Sequence, residues 1–203
     1  MGDVKGRRDT IIGGSLSGLF TATALRAVGW DVRLFEQSPN ELDSWGGGIV
    51  LQPDVIEAFR FGGVKLPSPP GADSGDRIYL DRDDRIIEQF PMPQTQTSWN
   101  LIYSAMRRGL PAEIIHPGER FTHLEQNAQT VTAHFESGRV EEAELLVGAD
   151  GPRSAVRAQL IPGLQPTMRA TSHGVACSRK TTSTSTPQRS FVIDLLSSRA
   201  KHI

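Results

Sequence analysis

The first 36 residues alternate apolar and polar positions in a strand–turn–helix–strand order. Thr10-Ile11-Ile12 is a short apolar run that stops at Gly13. Within four or five residues the spacing becomes helical, with Leu19, Ala22 and Leu25 or Val28 on one face. This predicts a helix over 17–28 with Gly29 as its C-terminal stop, then a second strand over 31–35 that ends on Glu36. Residues 49–51 read as a short buried strand, and Pro53 suits the first turn of a helix continued by 54–61. The Pro/Ser/Gly-rich stretch 66–75 predicts a surface loop. Two runs, 77–80 and 85–90, flank Asp81-Arg82-Asp83-Asp84 as a hairpin with a charged, solvated turn. Residues 99–108 predict a helix buried along Leu101, Ile102, Ala105 and Met106; Trp99 and Tyr103 belong to the core or line a site. A strand over 113–116 precedes three runs, 120–125, 130–135 and 141–147, which form a small antiparallel meander. The last run leads through Gly148-Ala149-Asp150-Gly151-Pro152 into a helix beginning near Arg153.

Composition narrows the class. The chain has 203 residues, 37% hydrophobic and 22% charged, with a net charge of −1. That suits a soluble globular protein with one good core and part of a second, and nothing global favours nucleic acid or a membrane surface. No apolar run reaches bilayer length and no signal peptide precedes the first strand. Met1-Gly2 begins like a myristoylation site, but position 6 is glycine. The single cysteine, Cys177, excludes an internal disulfide and fits a reducing, cytoplasmic location. His116, His123 and His134 are too scattered for metal-ligand spacing, so no metal site is predicted. Oligomeric state is not readable.

The opening βαβ unit has the parts needed to hold a dinucleotide. Gly13 permits a tight turn, Gly14 follows it, and Gly18 lets the helix lie close to the strand. The free N–H groups at the helix start, near Ser15 and Ser17, face a pyrophosphate. Glu36, 18 residues beyond Gly18, can accept hydrogen bonds from ribose hydroxyls. Ser15 replaces the middle glycine of the usual fingerprint, and its small hydroxyl side chain is tolerated there. Gly46-Gly47-Gly48, followed by Gln52, suits backbone approach to a flat ligand, or else a glycine-rich linker. Asp150-Gly151, after an apolar strand, places an acid at a strand's C-terminal edge, where ligands of open α/β sheets bind. Arg153 and Arg157 can pair with phosphates there. An ordinary Asp-Gly turn with a capped helix is the alternative for this segment.

These two stretches, with Gly48-Ile49-Val50-Leu51-Gln52-Pro53, Ser98-Trp99 and Tyr103, resemble the class A flavoprotein monooxygenases, the FAD-dependent aromatic hydroxylases. Within that family the 2,6-dihydroxypyridine 3-hydroxylase branch is the most similar, and Ser15 is usual there. The resemblance covers roughly residues 8–166. It implies an α/β, Rossmann-like FAD-binding domain of the glutathione-reductase type, carrying the small meander and lacking most of the substrate domain. It also implies FAD as cofactor, NAD(P)H as reductant, and hydroxylation of a small aromatic or N-heteroaromatic substrate through a flavin hydroperoxide. The implied cofactor-binding residues are Gly13, Gly14, Ser15, Ser17, Gly18, Glu36, Gly48, Gln52, Asp150, Gly151 and Arg157; no catalytic residue is assigned. The rivals are a different FAD- or NAD(P)-dependent oxidoreductase and a non-catalytic FAD-binding fragment.

The domain expected is 1–167, with the start of a substrate region at 66–98, followed by an aberrant tail at 168–203. The tail carries six Lys or Arg against one acid, Asp194, and is Ser/Thr-rich over 180–190. Back-translated with freely chosen codons and read one base out of frame, Met168 onward gives Ala-Gly-Tyr-Val-Ala-Trp-Arg-Gly, a segment of the kind the family has there. The expectation is an out-of-frame tail on a truncated, inactive form; a genuine basic tail binding nucleic acid or anionic lipid is the alternative.

Overall fold

The computed structural model of the chain describes residues 6–42 and 47–164, together with two-residue strands at His173–Gly174 and Leu195–Leu196. Its centre is a four-stranded parallel sheet. Strand β1 (Arg8–Ile12) lies between β2 (Asp31–Glu36) and β10 (Leu145–Gly148), and β6 (Ile115–Pro117) pairs with the outer side of β2. From Asp9 onward β1 is buried on both faces because both are covered, as is usual for a parallel sheet. On one face, Ile11, Val32 and Leu34 meet Leu19 and Ala22 of helix α1 (Leu16–Ala27). Ile102, Tyr103 and Met106 of α3 (Trp99–Arg108) complete that core. On the other face, Ile12 and Phe35 pack against Phe121, Leu124, Ala133 and Phe135.

Those four residues come from the meander β7 (Phe121–Gln126), β8 (Val131–Phe135) and β9 (Val140–Ala143), with Val156 of α4 (Ala155–Leu160) beside them. A separate antiparallel sheet has the order β3 (Gly48–Val50), β5 (Ile86–Ser98), β4 (Ala72–Leu80), and α2 (Pro53–Phe61) follows β3. α3 matches its predicted limits: Ser98 caps it by accepting the Leu101 N–H at 3.1 Å.

Several boundaries differ from expectation, most by a residue or two. β4 starts at Ala72, inside the predicted loop, because Ala72 and Asp73 pair with Gln96 and Thr95 of a β5 longer than predicted. The strand over 113–116 begins instead as a 3₁₀ turn, Ala112–Ile114, before β6. The helix placed near Arg153 starts at Ala155, after Ser154 as cap. The run 141–147 is not one strand: β9 pairs with β8, and β10 crosses to β1. The hand-over is pinned at Glu144, whose N–H donates to the Arg8 carbonyl at 3.0 Å while its carboxylate accepts the Arg8 N–H at 2.8 Å.

An ion-pair network ties the meander to the parallel sheet. Arg33 and Arg139 reach Glu141 at 2.7 and 2.6 Å, and Arg139 lies 4.9 Å over the Phe35 ring. Burial acts to raise the Glu141 pKa, but these two guanidiniums outweigh it and hold the carboxyl below its ordinary range. Among the described residues, one buried side chain is a carboxylic acid. Asp9 on β1 is 1% exposed, and neither carboxylate oxygen has a hydrogen-bond partner among the described residues.

Residues 165–203 form a second unit, in which His173–Gly174 and Leu195–Leu196 pair antiparallel. The expected character of the tail otherwise lies outside the described residues. Among the described residues no helix is long and apolar enough to cross a membrane.

Candidate dinucleotide site

Parallel pairing of β10, β1 and β2 brings the predicted strand ends to one edge, where Ile12 stands beside both Gly148 and Phe35. The two glycine turns touch. The Ala149 N–H donates to the Ile12 carbonyl at 2.7 Å, and a Cβ on Gly13 would lie 2.4 Å from the Ala149 carbonyl oxygen. Gly13 has φ +109°, which disfavours any side chain, and its N–H donates to the Phe35 carbonyl at 2.8 Å. Gly18 is buried in the first turn of α1, and a Cβ there would sit 1.8 Å from the Gly13 carbonyl oxygen. The loop therefore folds tightly against the helix it feeds.

Glu36 braces the loop from the end of β2. Its carboxylate accepts the Gly14 N–H at 2.6 Å and the Ser38 N–H at 2.8 Å. A Cβ on Gly14 would meet the Glu36 side chain at 2.8 Å. Ser38 was not singled out by its sequence; its amide is brought to Glu36 by the turn after β2. Ser15 is the N-cap of α1 yet makes no side-chain cap bond, and no acid occupies the first turn, where Ser17 is exposed. α3 and α4, by contrast, are both capped by serine. A helix start with no side-chain cap and no acid in its own first turn, closed in by glycines, fits a pyrophosphate.

Asp150 has a structural task. Its carboxylate accepts the Ser154 hydroxyl at 2.5 Å and the Ala155 and Val156 N–H groups at 2.7 and 3.2 Å. Ser154 in turn accepts the Arg157 N–H at 2.9 Å, and the Arg157 guanidinium donates to the Pro152 carbonyl. Gly151 has φ +79° and open space around it. Asp150→Ala should therefore destabilise the fold by about 1–2 kcal/mol, as loss of a helix cap does, read as a lower urea midpoint with unchanged slope.

Gly48 and Gln52 belong to the second sheet and the start of α2. Nothing lies within 3.9 Å of where a Gly48 Cβ would stand. Gln52 is exposed and lines a cleft of about 420 Å³ with Leu51, Pro53, Ser74, Gln94 and Thr95. Ile49 and Leu51 pack into the same core as Leu19 and Ile11, which fixes this segment relative to α1. Trp99 stacks on Tyr103 with centroids 4.7 Å apart, and the Tyr103 hydroxyl accepts the Leu42 N–H at 3.2 Å. His123 and His134, far apart in sequence, stand ring against ring, 4.3 Å between centroids.

The chain is 35% identical over 161 residues to 2,6-dihydroxypyridine 3-monooxygenase of Paenarthrobacter nicotinovorans, covering 79% of this chain and 40% of that protein. It is 30% identical to 6-hydroxynicotinate 3-monooxygenase of Bordetella bronchiseptica, covering 76% and 43%. Among solved structures, 2,6-dihydroxypyridine-3-hydroxylase from Arthrobacter nicotinovorans superposes with a TM-score of 0.73 at 34% identity, over 80% of this chain and 41% of that one. HpxO of Klebsiella pneumoniae, solved with FAD and uric acid, shares the fold with a TM-score of 0.64 at 23% identity, over 75% and 41%. The chain thus spans about two fifths of the length of the curated relatives it matches. The touching glycine turns, the acid after β2 and these likenesses agree with a match over residues 9–203, and the chain belongs to the FAD binding domain family.

Proposed function

We propose that this chain carries the FAD-binding part of an NAD(P)H-dependent monooxygenase that hydroxylates an aromatic or N-heteroaromatic ring. One observation carries the reading: the Gly13-Gly14 turn and the Ala149-Asp150 turn meet at the C-terminal edge of one parallel sheet, beside an uncapped helix start. In this reading Gly13, Gly14, Ser15, Ser17 and Gly18 hold the pyrophosphate, and Glu36 receives the adenosine ribose. Asp150, Gly151 and Arg157 line the facing side, and Gly48 and Gln52 approach from the second sheet. The relatives' named substrates, a dihydroxypyridine and a hydroxynicotinate, suggest a small electron-rich ring. When bound, the flavin would take a hydride from NAD(P)H and activate oxygen for transfer to that ring. The chain's own part is to hold the cofactor rigidly and shield it from water. The single cysteine suits a reducing cytoplasm.

Titration of the purified chain with FAD, followed by quenching of flavin fluorescence, tests the reading. Saturable binding with a perturbed flavin spectrum is expected; nicotinamide binding without flavin binding would transfer the site to another oxidoreductase class. Glu36→Gln should weaken FAD roughly tenfold, the loss of one charge-assisted hydrogen bond. An unchanged dissociation constant would remove Glu36 from the ribose.

A further inference from the structure

β7 carries a bulge that its sequence spacing conceals. Phe121 pairs with Phe135 and His123 with His134, so two steps along β7 match one along β8, and Thr122 is the extra residue. Without it His123 would oppose Ala133, a buried position. With it, His123 and His134 lie on the face turned away from the parallel sheet, their rings 4.3 Å apart and parallel to within 2°. Glu125, two residues on and opposite Thr132, shares that face. A ring nitrogen of each histidine and a carboxylate oxygen of Glu125 all lie within 4.8 Å of one another.

Thr122 sets the chemistry of this cluster. Its hydroxyl donates its one proton to the His134 carbonyl at 2.9 Å. Its 3.1 Å contact with His123 Nδ1 is therefore one in which the hydroxyl oxygen accepts and Nδ1 donates, which leaves Nε2 as the nitrogen open to an ion. A metal-bound imidazole is oriented in this way, by a hydrogen bond from its other nitrogen. His134 Nε2 is shielded from solvent and has no hydrogen-bond partner among the described residues.

We propose that His123, Glu125 and His134 bind one divalent transition ion of the zinc class, which clips β7 to β8 at the bulge. Two imidazoles and one carboxylate suit zinc, nickel or copper, whereas magnesium and calcium take oxygen sets. Zinc–nitrogen bonds of about 2.0–2.1 Å place tetrahedral ligands roughly 3.4 Å apart, so the ligand atoms must close and the two parallel rings must splay. His123 and Glu125 are exposed, so side-chain rotation suffices, and water fills the fourth position. The clip holds the register beside Phe121 and Phe135, the residues that seat the meander on Phe35.

The test is a ZnCl₂ titration of the chelator-treated 203-residue chain, read by NMR of the histidine ring protons and by calorimetry. Saturable uptake of a single equivalent is expected, with the His123 and His134 signals moving together and MgCl₂ moving neither. His123→Gln and His134→Gln, checked for folding by circular dichroism, should each lose that uptake. Thr122→Val, which removes no ligand, should weaken it roughly tenfold. Ring signals of His123 and His134 that stay in place at saturating zinc would overturn the proposal in the wild-type protein alone. Undiminished affinity in both histidine variants, or an equal response to magnesium, would overturn it as well.

Discussion

Gly18→Ala is expected to abolish FAD binding and to destabilise the fold by about 3 kcal/mol. The added methyl would stand 1.8 Å from the Gly13 carbonyl oxygen, a backbone atom that cannot swing aside as a flexible side chain can. Relief requires either α1 to withdraw from β1 or the Gly13 peptide to move. The first opens the core where Leu19 and Ala22 meet Ile11. The second drives Gly13 against Ala149, which a Gly13 Cβ already would crowd at 2.4 Å. Both routes displace the amides at the helix start, so loss of cofactor and loss of stability arrive together. Gly75→Ala is the control, because nothing lies within 4 Å of its added methyl; it should change stability by less than about 1 kcal/mol. Urea unfolding and FAD titration of both variants check this, and a Gly18→Ala protein with wild-type midpoint and affinity would refute the packing argument.

Asp9→Val should stabilise the protein above neutral pH by up to about 4 kcal/mol, and the gain should shrink as the pH falls. Burial raises the Asp9 carboxyl from 3.8 to about 7, and the adjacent Thr10 N–H, which makes no full hydrogen bond to it, offsets this only in part. The folded state therefore holds a proton that the unfolded chain releases near its ordinary pKa. The stability contributed by protonated Asp9 is fully present below pH 3.8 and is lost as the pH rises to about 7. Glu141 and Glu144 slope the other way. Arg139 and Arg33 lower the first, against its burial, and the Arg8 N–H lowers the second, so their contributions disappear on the acid side. The difference between wild type and Asp9→Val isolates the buried acid from these. Thermal unfolding of both proteins from pH 5 to pH 8 measures it, and a gap that stays constant across that range would show that Asp9 does not titrate in the fold.

Much of the architecture was legible because its signals are local. The glycine that ends β1, the helical spacing of Leu19 and Ala22, Pro53 at the start of α2 and Ser98 before α3 each act within one turn of chain. The elements that were misread depend on partners distant in sequence. Residues 72–76, which carry no large apolar side chain, become strand only because β5 offers them a pairing edge. The run 141–147 looks continuous, yet its halves answer to different neighbours, β8 and β1, and the switch at Glu144 is set by Arg8. His123 and His134 read as unrelated because one bulged residue decides which face His123 takes.

The same division holds at the site. The sequence alone determined the βαβ unit, the acid that follows it and the second glycine turn, since each is a matter of which residues tolerate a tight turn or start a helix. Only the tertiary structure decided that the two turns touch, that Glu36 braces Gly14, and that Asp150 spends its carboxylate on the start of α4. Only it left Asp9 buried without a partner. The physical reason is that turn and capping preferences are properties of a few adjacent residues. Burial, hydrogen-bond partnership and close approach exist only once strands far apart in the chain have paired.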